Sequence, residues 1–135
     1  MRPTIKILRG KQMKVKTSEL SGIQLDYAVA ICLGGIDFHY DTVATYWITI
    51  DGKDRALSKS WAQAFAPSTD WSHGGPIIER ERIDVFSVRN ATNWCAQSNV
   101  RVFNGYGETP LIAAMRCYVA GRLGDEVEIP DDLLC

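Results

Sequence analysis

The sequence predicts an α+β protein: an antiparallel sheet of about four to six strands layered with two main helices, over residues 21–33 and 110–123, and a short helix near 76–82. Two observations carry the prediction. The two main helical stretches have start and stop signals at both ends. Between them, alternating runs rich in β-branched and aromatic residues are separated by turn residues, giving the order α-β-β-α-β-β-β-α.

The first helix starts at Leu20-Ser21-Gly22-Ile23-Gln24-Leu25, where Ser21 is placed to cap, Gln24 to reach back from the third position, and Leu20 to staple onto Leu25. Ile23, Tyr27, Ala30 and Ile31 share one face, and Gly34-Gly35 supplies left-handed residues to end it. Residues 36–57 read as β structure, with Tyr46-Trp47-Ile48-Thr49-Ile50 as the strongest strand and Asp51-Gly52 as a hairpin turn. A polar turn follows, and Pro76 suits the first position of a short helix continuing through Ile77, Ile78 and Glu79. Residues 83–88, 94–96 and 100–103 resume the alternation as an antiparallel meander.

The last helix has Thr109 as cap, Pro110 at its first position and Gly124 as its stop. Arg116 is the only charge between Thr109 and Gly121, and a helix apolar nearly all round is buried on more than one side. The acidic tail, residues 125–134, is expected to lie across the surface. With 46% apolar and 23% charged residues in 135, the composition excludes a disordered chain. No apolar run approaches the roughly 20 residues that span a bilayer, and no secretory signal is visible. Cys32, Cys95, Cys117 and Cys135 are scattered, without Cys-x-x-Cys pairs, which fits a reducing compartment and free thiols.

Charge is unevenly spread. Residues 1–16 carry Arg2, Lys6, Arg9, Lys11, Lys14 and Lys16 without an acid, so the rest is acidic although the whole chain stands at −1. Met13 opens a natural-looking start, and Arg9-Gly10-Lys11-Gln12 can be encoded by a purine-rich stretch like a bacterial ribosome-binding site. Residues 1–12 are therefore expected to be translated leader or disordered extension, with residues 13–135 as one α+β sandwich domain. The remaining acidic body argues against duplex DNA as a partner.

Three constellations are candidates for chemistry. In Ser68-Thr69-Asp70-Trp71-Ser72-His73-Gly74-Gly75-Pro76, two glycines ahead of a helix start let backbone N–H groups approach an anion; Arg80 lies one turn on and Trp71 is available to stack on a ring. Asx and Ser/Thr turns use the same residues merely to shape a loop. Arg116, alone on a buried helix, must be compensated, by an internal carboxylate such as Glu79 or by a ligand anion, with the internal pair favoured. Asp37, His39 and Asp41 alternate, so an extended strand would place two carboxylates and an imidazole on one face; a metal site there is outweighed by a solvated strand face. No cofactor motif and no nucleophile-elbow pattern accompanies them.

Three stretches together resemble the NinX family of small tailed-phage and prophage proteins. They are Met13-Lys14-Val15-Lys16-Thr17 with Leu25-Asp26-Tyr27-Ala28-Val29-Ala30, then Ser68-Thr69-Asp70-Trp71 through Gly74-Gly75-Pro76-Ile77-Ile78-Glu79-Arg80-Glu81, and Thr109-Pro110-Leu111-Ile112-Ala113-Ala114-Met115-Arg116-Cys117-Tyr118-Val119 with Leu123-Gly124-Asp125-Glu126-Val127. The layout is more loosely similar to the phage α-β-α sandwich domain. The resemblance implies a phage accessory protein of the bacterial cytoplasm and supplies no catalytic residues.

Together these readings give a non-enzymatic protein that binds, and sequesters, a small anionic ligand, expected to be a nucleotide immune signal of the host, as an anti-defence sponge. Its ligand-facing residues are expected to be Ser68, Thr69, Asp70, Trp71, His73, Gly74, Gly75, Arg80 and Arg116, and it is expected to self-associate. The alternatives are a protein-interaction module acting on recombination or replication proteins, and a metal-dependent phosphoester hydrolase using Asp37, His39 and Asp41.

Overall fold

The structure, a computed structural model, describes residues 6–7, 11–40, 45–57, 64–89, 91–98 and 104–134. It is α+β, with three α-helices and three small antiparallel sheets among these residues. Helix α3 (Pro110–Leu123) is the centre. The Thr109 hydroxyl accepts from the Ile112 N–H at 3.1 Å, Pro110 occupies the first turn, and Gly124 ends the helix at φ +91°. Its all-round apolar composition follows from its surroundings. Helix α1 (Gly22–Cys32) packs on one side, and β6 (Ile83–Ser87), β7 (Trp94–Ser98) and β8 (Asn104–Gly107) cover another. Ala113, Ala114, Met115, Cys117 and Val119 are all buried.

The contact with β8 explains why that strand is half glycine. A Cβ on Gly105 would lie 2.2 Å from the Ala113 carbonyl oxygen, and one on Gly107 would lie 2.8 Å from the Ala113 nitrogen. Bare backbone therefore lies directly against the helix. The expected strand at 100–103 falls outside the described residues; among the described residues the third strand of the meander is Asn104–Gly107.

Helix α1 begins after Ser21, as expected, but the predicted capping box does not form. The Ser21 side chain makes no cap bond, and Gln24 Nε2 donates to the Leu133 carbonyl at 3.1 Å instead of returning to the helix start. Gly22 at φ +56° distorts the first turn, and the C-terminal segment takes up the glutamine. The other end matches the sequence: Gly35 N–H donates to Ala30 O at 2.8 Å and Gly34 N–H to Ile31 O at 3.0 Å, with Gly34 at φ +86°.

One continuous sheet was expected and three are found. Strands β1 (Lys6–Ile7), β3 (Ile36–Tyr40), β4 (Tyr46–Ile50) and β5 (Lys53–Ala56) make the first, with the Asp51-Gly52 hairpin at φ +51° and +76°. The meander β6–β7–β8 makes the second. The third pairs β2 (Gln12–Lys16) with β9 (Glu126–Pro130) in full register, Met13 opposite Ile129 and Val15 opposite Val127. The tail therefore does not merely cross the surface: Val127, Ile129 and Leu133 are buried, and the Thr17 hydroxyl donates to Gly124 O at 2.6 Å. Helix α1 packs against α3 and β9, and the edge-on contact of Tyr27 with Phe38, 5.2 Å between centroids, joins α1 to the first sheet.

Helix α2 (Trp71–Glu81) is longer than the short helix expected near 76–82. Asp70, not the residue before Pro76, is its N-cap, and Pro76 lies inside the helix. The proline is tolerated there because the carbonyl it deprives of a donor is that of Ser72, an exposed residue of the first turn that water can satisfy.

Candidate functional site

The Ser68–Gly75 segment is built from its neighbours on α1, β5 and α3. Asp26, on α1 and 7% exposed, accepts the Ser68 N–H at 2.9 Å, fixing the turn that leads into α2. Ser68 is itself buried at 1% exposure, and its hydroxyl has no hydrogen-bond partner among the described residues. Thr69 is exposed. The Asp70 carboxylate accepts from Ser72 N–H at 2.9 Å and from the Ser72 hydroxyl at 2.6 Å, and these bonds hold its carboxyl below the usual carboxylate range.

At Gly74 the backbone N–H that an anion cradle would use is already engaged. The positive end of α2 already faces the Asp70 carboxylate, and the Gly74 N–H donates to Asp70 O at 2.9 Å within the helix. Gly74 has a packing role: a Cβ there would lie 2.5 Å from Pro67 O and 2.6 Å from Leu111 Cδ2. A Cβ at Gly75 would meet only Trp71 Cε3, at an ordinary contact distance of 3.9 Å. His73 turns inward, its Nδ1 accepting from Ala66 N–H at 3.1 Å and its ring stacked on Phe65 at 5.7 Å. Arg55 lies over the same phenyl ring, 5.2 Å from its centroid, with Nη2 3.5 Å from His73 Nε2. Arg55 was not identified from the sequence, since nothing local links β5 to this turn. Trp71 stands 56% exposed on the first turn of α2.

Arg80 is in the last turn of α2 and faces away from that segment, into a hollow of about 250 Å³ shared with Tyr118 and Arg122. Arg116 lies elsewhere again. The predicted pair with Glu79 does not form; Glu79 is exposed, and Arg116 donates from Nε to Leu20 O at 2.8 Å and from Nη1 to Tyr106 O at 2.7 Å. None of the ion pairs among the described residues includes it. Partial burial lowers the pKa of the guanidinium, and the charge of Glu108 works in the opposite direction.

Two adjoining hollows, of about 250 and 440 Å³, meet at Arg116; both are also lined by Ser18 and Tyr106. Tyr106 is 56% exposed because it alternates with Gly105 and Gly107, which face α3. Asn104 and Lys16 line one hollow, Asn93 and Ser21 the other. The nine ligand-facing residues expected from the sequence therefore divide among three places. The Tyr106–Arg116 groove combines a cation outside the ion pairs of the described residues with an exposed aromatic ring and neutral polar groups, and Glu108, Asp125 and Glu126 also line its two hollows.

The Asp37–His39–Asp41 alternation is broken. Asp37 adopts φ +56° at a register shift between Ile36 and His39, so Phe38 and His39 are both buried, His39 to 6% exposure. The His39 Nδ1 is bonded to the Asp37 carbonyl, and Asp41 lies outside the described residues. The solvated strand face expected there is thus corrected for His39. Among the described residues no group of three His, Cys, Asp or Glu side chains is placed to hold a metal ion, and no helix is long and apolar enough to cross a membrane.

Comparison with known proteins bears on most of the chain. Among curated proteins none matches it. The family model described as bacteriophage P22 NinX matches residues 16–122, a span holding α1, α2, the Ser68–Gly75 segment and all of α3 but its last residue. The chain belongs to the NinX family of bacteriophage proteins.

Proposed function

We propose that this phage accessory protein binds, and by binding sequesters, a small anionic ligand of the nucleotide class in the host cytoplasm, with the Tyr106–Arg116 groove as its site. The observation that carries the reading is the Arg116 guanidinium, partly desolvated, without a carboxylate partner among the described residues, and bordering two hollows beside an exposed tyrosine. A guanidinium held by two backbone carbonyls is pre-oriented, so little side-chain entropy is lost when a phosphate joins it. In this reading Arg116 and Lys16 take phosphate, Tyr106 stacks on a base, and Asn93 and Asn104 contact polar base or sugar edges.

A thermal-shift screen of the protein against linear and cyclic nucleotides tests it. Ligand at a hundred times its Kd adds about 2.7 kcal/mol of stability. The expected result is a clear rise in Tm with no consumption of compound, lost in Tyr106→Ala and kept in Trp71→Ala. A flat panel on folded protein overturns the reading.

The second reading, a protein-interaction module, is favoured by Trp71, more than half exposed on the first turn of α2 with no ring partner among the described residues. Co-purification of a host protein that Trp71→Ala abolishes would select it.

A further inference from the structure

On the far side of α3 from Tyr106, the last turns of two helices bring two arginines to one hollow. Arg80 comes from α2 and Arg122 from α3, and the hollow between them, about 250 Å³, is lined also by Glu81, Ser98, Tyr118 and Gly121. Glu81 bridges the two guanidiniums: its Oε1 accepts from Arg122 Nη2 at 2.8 Å and its Oε2 from Arg80 Nε at 3.2 Å. Both arginines are also held by Tyr118. The Arg122 guanidinium lies 5.3 Å from the ring centroid, and Arg80 Nη2 donates to the Tyr118 hydroxyl at 3.4 Å.

A helix-end arginine complements the negative C-terminal dipole, and one surface ion pair needs one arginine. Neither explains two guanidiniums converging on a single carboxylate in a hollow, where the three side chains sum to one positive charge. Two planar forks held at fixed positions match the oxygens of a phosphoryl group, which accepts from both at once. Glu81 occupies that place with two oxygens where a phosphoryl group would bring three.

We propose that the Arg80–Arg122 hollow is a second anion site, separate from the Tyr106–Arg116 groove, that takes a phosphoryl group and is latched by Glu81, whose carboxylate is displaced when the anion enters. No covalent step is involved; one set of charge-assisted hydrogen bonds replaces another.

The test is titration of the whole protein with inorganic phosphate and pyrophosphate at constant ionic strength, followed by the arginine Nε–Hε resonances. Glu81→Gln is expected to bind pyrophosphate about tenfold tighter than wild type, since the competing charge is gone and the side-chain volume kept. Arg80→Gln and Arg122→Gln, each placed in the Glu81→Gln background, are expected to lose that gain. These are surface substitutions, and a circular-dichroism melt shows that each variant is folded. Equal affinity in Glu81→Gln and wild type, no binding by folded Glu81→Gln, or binding indifferent to Arg80 and Arg122 overturns the proposal. Failure of the nucleotide screen at the Tyr106 groove leaves this result unaffected, because Glu81, Arg80 and Arg122, on which the readout rests, do not line that groove.

Discussion

Arg116 and Tyr106 are bound through backbone as well as through their shared groove: Arg116 Nη1 donates to the Tyr106 carbonyl at 2.7 Å while Nε reaches Leu20 O at 2.8 Å. One planar side chain thus fastens β8 and the segment preceding α1 to the central helix. Lysine has the charge but lacks the fork.

Arg116→Ala is therefore expected to lower stability by about 2 kcal/mol, from two charge-assisted bonds to carbonyls that are left short of a donor. Arg116→Lys recovers less than half of it. Urea denaturation of the three proteins checks this, and equal midpoints would show that the carbonyls find water at no penalty.

Two adjacent glycines are expected to respond with opposite signs. Gly74→Ala drives a Cβ against Pro67 O and Leu111 Cδ2 and is expected to cost roughly 2 kcal/mol or more. Gly75→Ala meets nothing nearer than Trp71 Cε3 at 3.9 Å and gains helix propensity, about 0.5–1 kcal/mol. Thermal melts of the pair decide whether the double glycine serves packing at one position only.

Gly105→Ala places a Cβ against the backbone of α3, which cannot move aside as a side chain can. A loss of about 3 kcal/mol or failure to accumulate as folded protein is expected. A melt within a degree of wild type would show that β8 can lift off α3.

Thr109→Ala removes the cap bond to Ile112 N–H and is expected to cost about 1 kcal/mol, with Thr109→Ser near neutral. Chemical denaturation with both variants measures the cap alone.

Acid sensitivity follows from Asp70 and Glu81. Ser72 lowers the pKa of the first, and chiefly Arg122, opposed by burial, that of the second. A carboxylate with a depressed folded pKa contributes stability that is full above its ordinary value, 3.8 and 4.5 here. The contribution is lost as pH falls through the lower folded value. A double Asp70→Asn, Glu81→Gln variant is expected to show a flatter decline of stability below pH 4.5 than wild type. Parallel profiles would mean that neither group is bonded in solution as it is here.

The elements legible in the sequence are those whose signals are local. Thr109-Pro110 with Gly124, Gly34-Gly35 and Asp51-Gly52 each satisfy their own backbone within a few residues, and each stands where expected. Pro76 misled because proline suits both a first helical position and any early position whose freed carbonyl faces water. The Asp70 side chain made the true start, and its bond to Ser72 had an equally local signal. The bulge at Asp37 has no local signature, and it breaks the Asp37–His39 part of the alternation that suggested a metal site. For the candidate site, the lone charge of Arg116 was visible, but its partners Leu20 and Tyr106 are joined to it by tertiary packing. Tyr106 becomes a groove residue only because glycines on both sides turn their face to α3.

The pairing of β2 with β9, and the Thr17–Gly124 bond across 107 residues, also set the order of events during synthesis. Loop-closure entropy rises only with the logarithm of length, so joining such distant segments is a mild burden at equilibrium. Its effect falls on timing, because a chain emerging from the ribosome holds β2 as an open edge until residues 126–130 have been made. Closure of the fold is thus reserved until β9 has been made, and a chain stalled after α3 would carry its helices and meander but leave an unpaired strand available to other chains.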